Sequence, residues 1–138
     1  MVLLSIINHV KENVSKIILE KGYDKVNFVV EPSRSGFGDI TCNVAFLLAK
    51  SLRKTPQEIA QEFAGAYDTG QSKELNKAEA HQSGYLNFFL DTNSFNKTVL
   101  LESQKENYGS TDIGKNSKLV VEHTSVNPNK ALHIGHLR

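Results

Sequence analysis

The segment that decides the fold class is Lys77-Ala78-Glu79-Ala80-His81-Gln82-Ser83-Gly84-Tyr85-Leu86-Asn87-Phe88-Phe89-Leu90. It contains two short strand candidates, 77–81 and 85–90. Polar residues and a glycine, Gln82-Ser83-Gly84, join the two candidates. Such a connection is typical of the loop of a β-hairpin. The segment therefore predicts two antiparallel strands next to each other in a sheet.

Helical patterns flank this hairpin on both sides. The N-terminal stretch carries apolar residues at helical spacing, and Gly22 follows as a helix stop: Leu3, Ile7, Val10, Val14, Ile17, Ile18. Thr55-Pro56-Gln57-Glu58 predicts a capping box at the start of a helix that buries Ile59, Ala60, Phe63 and Ala64. After the hairpin, Ser94 is predicted to open a helix that contains Phe95, Val99 and Leu100.

Between the first two helices, the sequence predicts a strand, a loop and another helix. Val26 to Val30 is rich in β-formers, and Pro32 closes the run. Ser33 to Asp39 is predicted to be a loop because Gly36 and Gly38 bracket Phe37. Asp39 or Thr41 is then expected to cap a helix with one apolar face: Val44, Ala45, Leu48, Ala49, Leu52.

These elements predict an α+β unit over residues 1–107, with helices packed on one side of a small antiparallel sheet. Residues 108–118 are rich in Gly, Ser, Asn and Lys and are predicted to be a linker. Lys118 to His123 then begins a new element, in which Leu119-Val120-Val121 is typical of a strand buried in a parallel sheet. We expect 119–138 to start a second domain.

Composition limits the class of protein. The chain has 138 residues, 39% of them hydrophobic and 22% charged, with a net charge of +1. This balance indicates a folded domain with a core. It does not by itself indicate nucleic-acid binding. The longest apolar run, Val44 to Ala49, is too short to span a membrane. Cys42 is the single cysteine, which favours a reducing, cytoplasmic location.

The residues that point to chemistry lie at the C-terminal end. His133-Ile134-Gly135-His136 follows the predicted strand and a loop that contains Pro128. A helix N-terminus after a strand and a loop presents free N–H groups and a positive dipole end, which attract phosphate. Two imidazoles on its first turn can donate hydrogen bonds to that anion, and Gly135 permits close approach of a nucleoside. The alternative is a pair of histidines that are hydrogen-bonded at a helix start without binding a ligand.

His-Ile-Gly-His in this setting resembles the signature of class I aminoacyl-tRNA synthetases. The string from Glu122 to Arg138 is similar to arginyl-tRNA synthetases in particular. So are three N-terminal segments, which resemble the additional N-terminal domain of that family: Gly36-Phe37-Gly38-Asp39, Asn43-Val44-Ala45-Phe46 with Leu48-Ala49-Lys50, and Gly84-Tyr85-Leu86-Asn87-Phe88.

The resemblance implies that 119–138 begins a catalytic domain of Rossmann type, truncated after its first strand. It also implies roles for the residues of the C-terminal motif. His133 and His136 would stabilise the α-phosphate of ATP, which is expected with Mg²⁺, while Gly135 would lie beneath the adenosine. Lys130 would add positive charge at the phosphates. Glu122 and Asn127 would contact the substrate arginine. The alternatives are a solvated loop lysine at 130, a strand-end charge at 122 and a self-bonded loop residue at 127. No metal-ligand spacing is present, so we expect no metal held by the protein.

The resemblance also implies tRNA binding by the N-terminal unit. Tyr85 would stack on a base of the D-loop, Asn87 would read the edge of that base, and Gln82 would be a third contact. Because this mode of recognition needs little net charge, it fits the composition. The alternative is that Tyr85 is a core residue.

We expect arginine–tRNA ligation by a longer protein and no catalysis by these 138 residues alone, because one strand of a parallel sheet lacks its neighbours. The 119–138 segment is expected to be poorly ordered or to dock on another copy of the chain. Two other hypotheses remain: a stand-alone module that binds tRNA(Arg) without catalysis, and another nucleotidyl transferase with the same histidine motif.

Overall fold

The computed structural model describes residues 2–34, 36–110, 112, 114–121, 129 and 131. The elements in these ranges follow the order α1 (Val2–Glu20), β1 (Val30–Pro32), β2 (Ile40–Cys42), α2 (Val44–Leu52), α3 (Pro56–Ala66), a 3₁₀ turn (Thr69–Gln71), β3 (Leu75–Ala80), β4 (Leu86–Leu90) and α4 (Thr92–Ser103). The predicted α+β class is confirmed. None of the described helices has the length and apolar content that a membrane crossing requires.

The four strands form one antiparallel sheet in the order β1-β2-β4-β3. The predicted hairpin is confirmed as β3 and β4, although β3 begins at Leu75, before the predicted start. The His81 N–H donates to the Tyr85 carbonyl at 2.8 Å, and the Gly84 N–H donates to the His81 carbonyl at 2.9 Å. Gly84 has a φ of +98°, which closes this tight loop at a conformation that glycine adopts without strain.

Two predictions between α1 and α2 are wrong. The strand predicted at 26–30 lies at Val30–Pro32, where it pairs only with β2. A proline fits there because an edge strand has one unpaired side. The helix cap predicted at Asp39 or Thr41 is wrong, because Thr41 lies in strand β2, Asp39 directly precedes that strand, and α2 begins after Asn43. The Asn43 side chain accepts a hydrogen bond from the Val29 N–H at 2.8 Å, so it joins the two segments.

The helix ends follow local chemistry. Helix α1 ends before Gly22, whose φ is +67°, and the Tyr23 N–H donates to the Ile18 carbonyl at 3.0 Å. The predicted capping box of α3 is confirmed, with Thr55 and Glu58 exchanging hydrogen bonds. Helix α4 begins earlier than predicted, because Asp91 is its N-cap and accepts from the Ser94 N–H at 2.8 Å.

One buried cluster joins helices α1, α2 and α3 to one face of the sheet. It combines Val10 and Val14 of α1, Leu48 of α2 and Phe63 of α3 with Phe88 of β4. The opposite face of the sheet carries the polar residues of the strands. The core therefore fixes which side chains of β4 are left for other contacts.

A partly exposed carboxylate, Glu62 of α3, ties the end of α1 to α3. It accepts from Lys21 Nζ at 2.8 Å, from Tyr23 Oη at 2.6 Å and from Lys54 Nζ at 2.9 Å. Hydrogen bonds from Lys21, Tyr23 and Lys54 lower the pKa of Glu62 to about 2. Because the folded state favours the ionised form, these contacts stabilise the fold above the ordinary carboxylate pKa and are lost as pH falls towards 2.

The chain divides into two compact units, Met1–Tyr108 and Gly109–Arg138. All the helices and strands given above lie in the first unit. In the second, residues 118–121 are in neither a helix nor a strand, and Leu119, Val120 and Val121 are exposed. The rest of the predicted Rossmann strand lies outside the described residues. The domain limits, the linker at 108–118 and the fate of the 119–138 segment stay predictions.

Candidate nucleic-acid interface

Successive side chains of strand β4 point alternately to the core and to the opposite face of the sheet, where the candidate site lies. Leu86 and Phe88 are fully buried against the helices, so Asn87 points to the other face, with Tyr85 one step before the strand on that same face. The Tyr85 side chain is 41% exposed. Its ring and that of Phe46 pack edge-to-face, with centroids 4.8 Å apart. Tyr85 is therefore not a core residue, and it has ring surface open to solvent.

A depression of about 630 Å³ lies on this face of the sheet. Tyr85 and Asn87 line it, together with Phe37 of the loop that precedes β2 and His81 of the hairpin. Phe37 is 48% exposed and packs edge-to-face on the His81 ring at 5.0 Å. The depression thus combines exposed aromatic surface with hydrogen-bonding side chains.

The loop before β2 is held beside β4 by its own glycine and aspartate. Gly38 has a φ of +81°, and a Cβ at this position would lie 3.0 Å from the Phe88 carbonyl oxygen. The Asp39 N–H donates to the Phe88 carbonyl at 2.9 Å, and Asp39 Oδ2 accepts from the Leu90 N–H at 2.8 Å. Gly38 and Asp39 therefore extend the pairing with β4 and fix the loop that carries Phe37.

Charges in the depression are mixed. Glu31 and Arg34 both line it, in agreement with the near-neutral composition. The Ser83 N–H donates to His81 Nδ1 at 3.2 Å, so the proton of the neutral imidazole belongs on Nε2. The depression can take an aromatic or planar ligand with hydrogen-bonding edges better than it can take a bare anion.

Two other features of the first unit are chemically unpromising. Burial raises the pKa of the Cys42 thiol to about 12, which keeps it protonated and unreactive at neutral pH. A second depression, of about 670 Å³, lies at the start of α1 and includes His9, Lys73 and Glu74. None of the residues predicted to bind a ligand lines it. Among the described residues, no cluster of His, Cys, Asp and Glu could hold a metal ion.

The structure describes one of the two predicted sites. Tyr85 and Asn87 lie together in the depression, while Gln82 is exposed in the hairpin turn and does not line it. The residues predicted for ATP and arginine lie outside the described residues: Glu122, Asn127, Lys130, His133, Gly135, His136. Sequence reasoning missed Phe37, His81 and Thr41 as parts of the depression. The Gly-Phe-Gly pattern was the available signal for Phe37.

Comparison with known proteins decides the family. A family model described as the arginyl tRNA synthetase N terminal domain matches residues 4–90, which include the hairpin and the loop before β2. The chain belongs to the arginyl-tRNA synthetase family. The resemblance stated from the sequence is therefore confirmed.

Similarity to individual arginyl-tRNA synthetases supports this assignment. An arginine–tRNA ligase of Pyrococcus furiosus is 43% identical over 95% of this chain and 21% of its own length. That of Methanocaldococcus jannaschii is 39% identical over 97% of this chain and 23% of its own length. The solved arginyl-tRNA synthetase of Thermus thermophilus has a TM-score of 0.60 and 34% identity, over 95% of this chain and 21% of the solved one. The chain thus spans between a fifth and a quarter of the length of these relatives.

Proposed function

We propose that the first unit binds tRNA(Arg) by holding an unpaired base of the D-loop in the depression on the sheet. Tyr85 stacks on the base and Asn87 reads its edge, while Gln82 makes a further contact from the hairpin turn. The observation that carries this proposal is the solvent-exposed ring of Tyr85 beside the buried amide of Asn87 in one depression. Stacking together with edge recognition is the common way in which proteins bind unpaired RNA bases.

The charges of the depression support a base rather than a phosphate as the principal ligand. Glu31 would repel phosphate, and Arg34 is the basic side chain that lines the same surface. Base stacking does not depend on net charge, so a chain with a net charge of +1 can bind RNA in this way. We assign Arg34 a secondary contact with the RNA backbone.

Replacing Tyr85 with alanine should weaken binding of a tRNA(Arg) transcript by about tenfold to a hundredfold, because a stacked base loses its platform. Fluorescence titration at a low and a moderate salt concentration measures this. The ratio of the wild-type and variant dissociation constants should be similar at both salts, since stacking is not screened.

Two control variants make this titration specific. Tyr85→Phe keeps the ring and should bind nearly as well as wild type. Tyr108→Ala removes another exposed tyrosine, 52% exposed, at the end of the unit and should leave affinity unchanged. Unchanged, salt-sensitive binding by Tyr85→Ala would show that only phosphates are contacted and would reject the proposal.

We propose for a longer protein carrying this chain the activity that gives its relatives their name, the ligation of arginine to tRNA(Arg) in the cytoplasm. Arginine first reacts with ATP, supplied as its Mg²⁺ complex, and pyrophosphate leaves; the arginyl group then passes to the terminal ribose. His133 and His136 donate hydrogen bonds to the α-phosphate, Gly135 lies under the adenosine, and Lys130 faces the phosphates. Glu122 and Asn127 bind arginine.

The 138 residues by themselves should give no arginine-dependent exchange between ATP and radiolabelled pyrophosphate. The reason is that the segment predicted to bind ATP and arginine, 119–138, is too short to enclose both substrates together. The control is a tRNA(Arg) titration on the same preparation, which should still show binding. Exchange above the rate without arginine would contradict this expectation.

A further inference from the structure

A row of polar side chains crosses the site face of the sheet. The strand registers pair Glu31 with Thr41, Thr41 with Asn87, and Asn87 with Glu79. Directly paired residues of antiparallel strands lie on the same face, with Cβ atoms close enough for contact. Thr41 is therefore the neighbour of Asn87 on β2, and both line the depression.

Thr41 holds one side of the Asn87 amide. The Thr41 hydroxyl donates to Asn87 Oδ1 at 2.9 Å. Asn87 is only 4% exposed, so its side chain has little freedom to turn. Among the residues that the structure describes, Thr41 is the one side-chain partner of this amide, and the N–H groups of Asn87 Nδ2 have none.

When the oxygen of the Asn87 amide accepts a hydrogen bond, the two N–H donors on its nitrogen remain for another partner. Because the oxygen and nitrogen lie on opposite sides of the amide carbon, a bond from Thr41 to the oxygen turns the nitrogen away from β2. A ligand that covers these donors must supply an acceptor, because a donor that binding buries without an acceptor costs free energy. The arrangement is thus suited to a ligand with an acceptor at its edge.

We propose that Thr41 is a positioning residue, which presents the Asn87 Nδ2 donors so that the site selects an unpaired base with an acceptor edge, a ring nitrogen or a carbonyl oxygen. This inference rests on the proposed function, because it concerns the same base that stacks on Tyr85. Thr41 itself does not touch the base. It determines specificity by fixing the orientation of Asn87.

The test compares tRNA(Arg) transcripts that differ only at unpaired D-loop positions, each nucleotide being replaced in turn by the other three. Thr41→Val, which keeps the shape but removes the hydroxyl, should weaken wild-type transcript binding by about three- to tenfold. It should also reduce the preference among the substituted transcripts. Thr41→Ser restores the hydroxyl and should recover both affinity and preference.

Further variants separate a positioning role from a structural one. Thr98→Val removes another threonine hydroxyl, which donates to Glu74 at 3.0 Å outside the depression. This variant should change neither the affinity for the wild-type transcript nor the preference among the substituted ones. Urea unfolding checks that Thr41→Val is folded. If Thr41→Val keeps the wild-type preference, or if Thr41→Ser fails to restore it, the positioning role is rejected.

The two proposals fail in different ways. If Tyr85→Ala loses affinity while Thr41→Val keeps the wild-type affinity and preference, the positioning role is rejected and the proposal of D-loop binding stands. If the wild-type chain has no preference among the substituted transcripts and Tyr85→Ala binds normally, both proposals are overturned.

Discussion

Replacing Gly84 with alanine should lower the free energy of unfolding by about 2–5 kcal/mol, from backbone strain and steric overlap together. A Cβ at this position would lie 2.4 Å from the Pro56 Cβ and 3.3 Å from Phe46 Cζ. Gly84 also has a φ of +98°, which side-chain-bearing residues rarely adopt. Pro56 is the first residue of α3, so the hairpin turn and the helix cannot both keep their places.

Gly65→Ala is the matched control for Gly84→Ala. Gly65 lies within α3, and a Cβ there would meet nothing within 4 Å. This variant should therefore stabilise the protein by about 0.5–1 kcal/mol, since alanine is the better helix former. Urea unfolding followed by circular dichroism measures both variants. A Gly84→Ala protein as stable as wild type would contradict the close contact between the turn and Pro56.

The second large effect is expected at Phe88, the fully buried aromatic residue of β4. Phe88→Ala should destabilise the protein by about 3–5 kcal/mol through loss of burial and the cavity that remains. The ring lies 4.8 Å from that of Tyr67, so the cavity would extend to the end of α3. Phe88→Leu, which retains most of the volume, keeps the measurement possible if the alanine variant does not fold.

The neighbouring Phe89 provides the control because it points to the other face. It is partly buried, and Lys77 Nζ lies 4.4 Å from its ring centroid. Phe89→Ala should cost only about 1–2 kcal/mol, since it loses partial burial and one cation–π contact. Equal costs at the two positions would show that the alternation of faces along β4 is wrong.

The sequence was sufficient to predict those elements that are determined by residues close to them in the chain. The capping box at Thr55 and Glu58 and the loop Gln82-Ser83-Gly84 lie within a few residues of the structure that they set, and both were predicted correctly. Strand β2 was not predicted, because it has only three residues and its partner β4 lies far along the chain. Asp39 accepts a backbone N–H in either interpretation, and the sequence cannot tell whether that donor belongs to a helix or to Leu90.

The candidate site was accessible to sequence reasoning only in part. The family resemblance alone points to Tyr85 and Asn87. The sequence offers Asp39 or Thr41 as a helix cap, and the pairing of Thr41 with Asn87 requires the register of β2 against β4. Phe37 was noted within its loop, but its contact with His81 depends on how Gly38 and Asp39 dock that loop on β4.

The two outermost strands of the described sheet carry features that affect association with other molecules. Pro32 interrupts the free side of β1, and on β3 the ammonium of Lys77 lies 2.6 Å from the carboxylate of Glu79. Backbone interruptions and charged side chains at sheet margins discourage neighbouring molecules from adding strands. Both margins of the described sheet therefore disfavour the addition of a further strand from a neighbouring molecule.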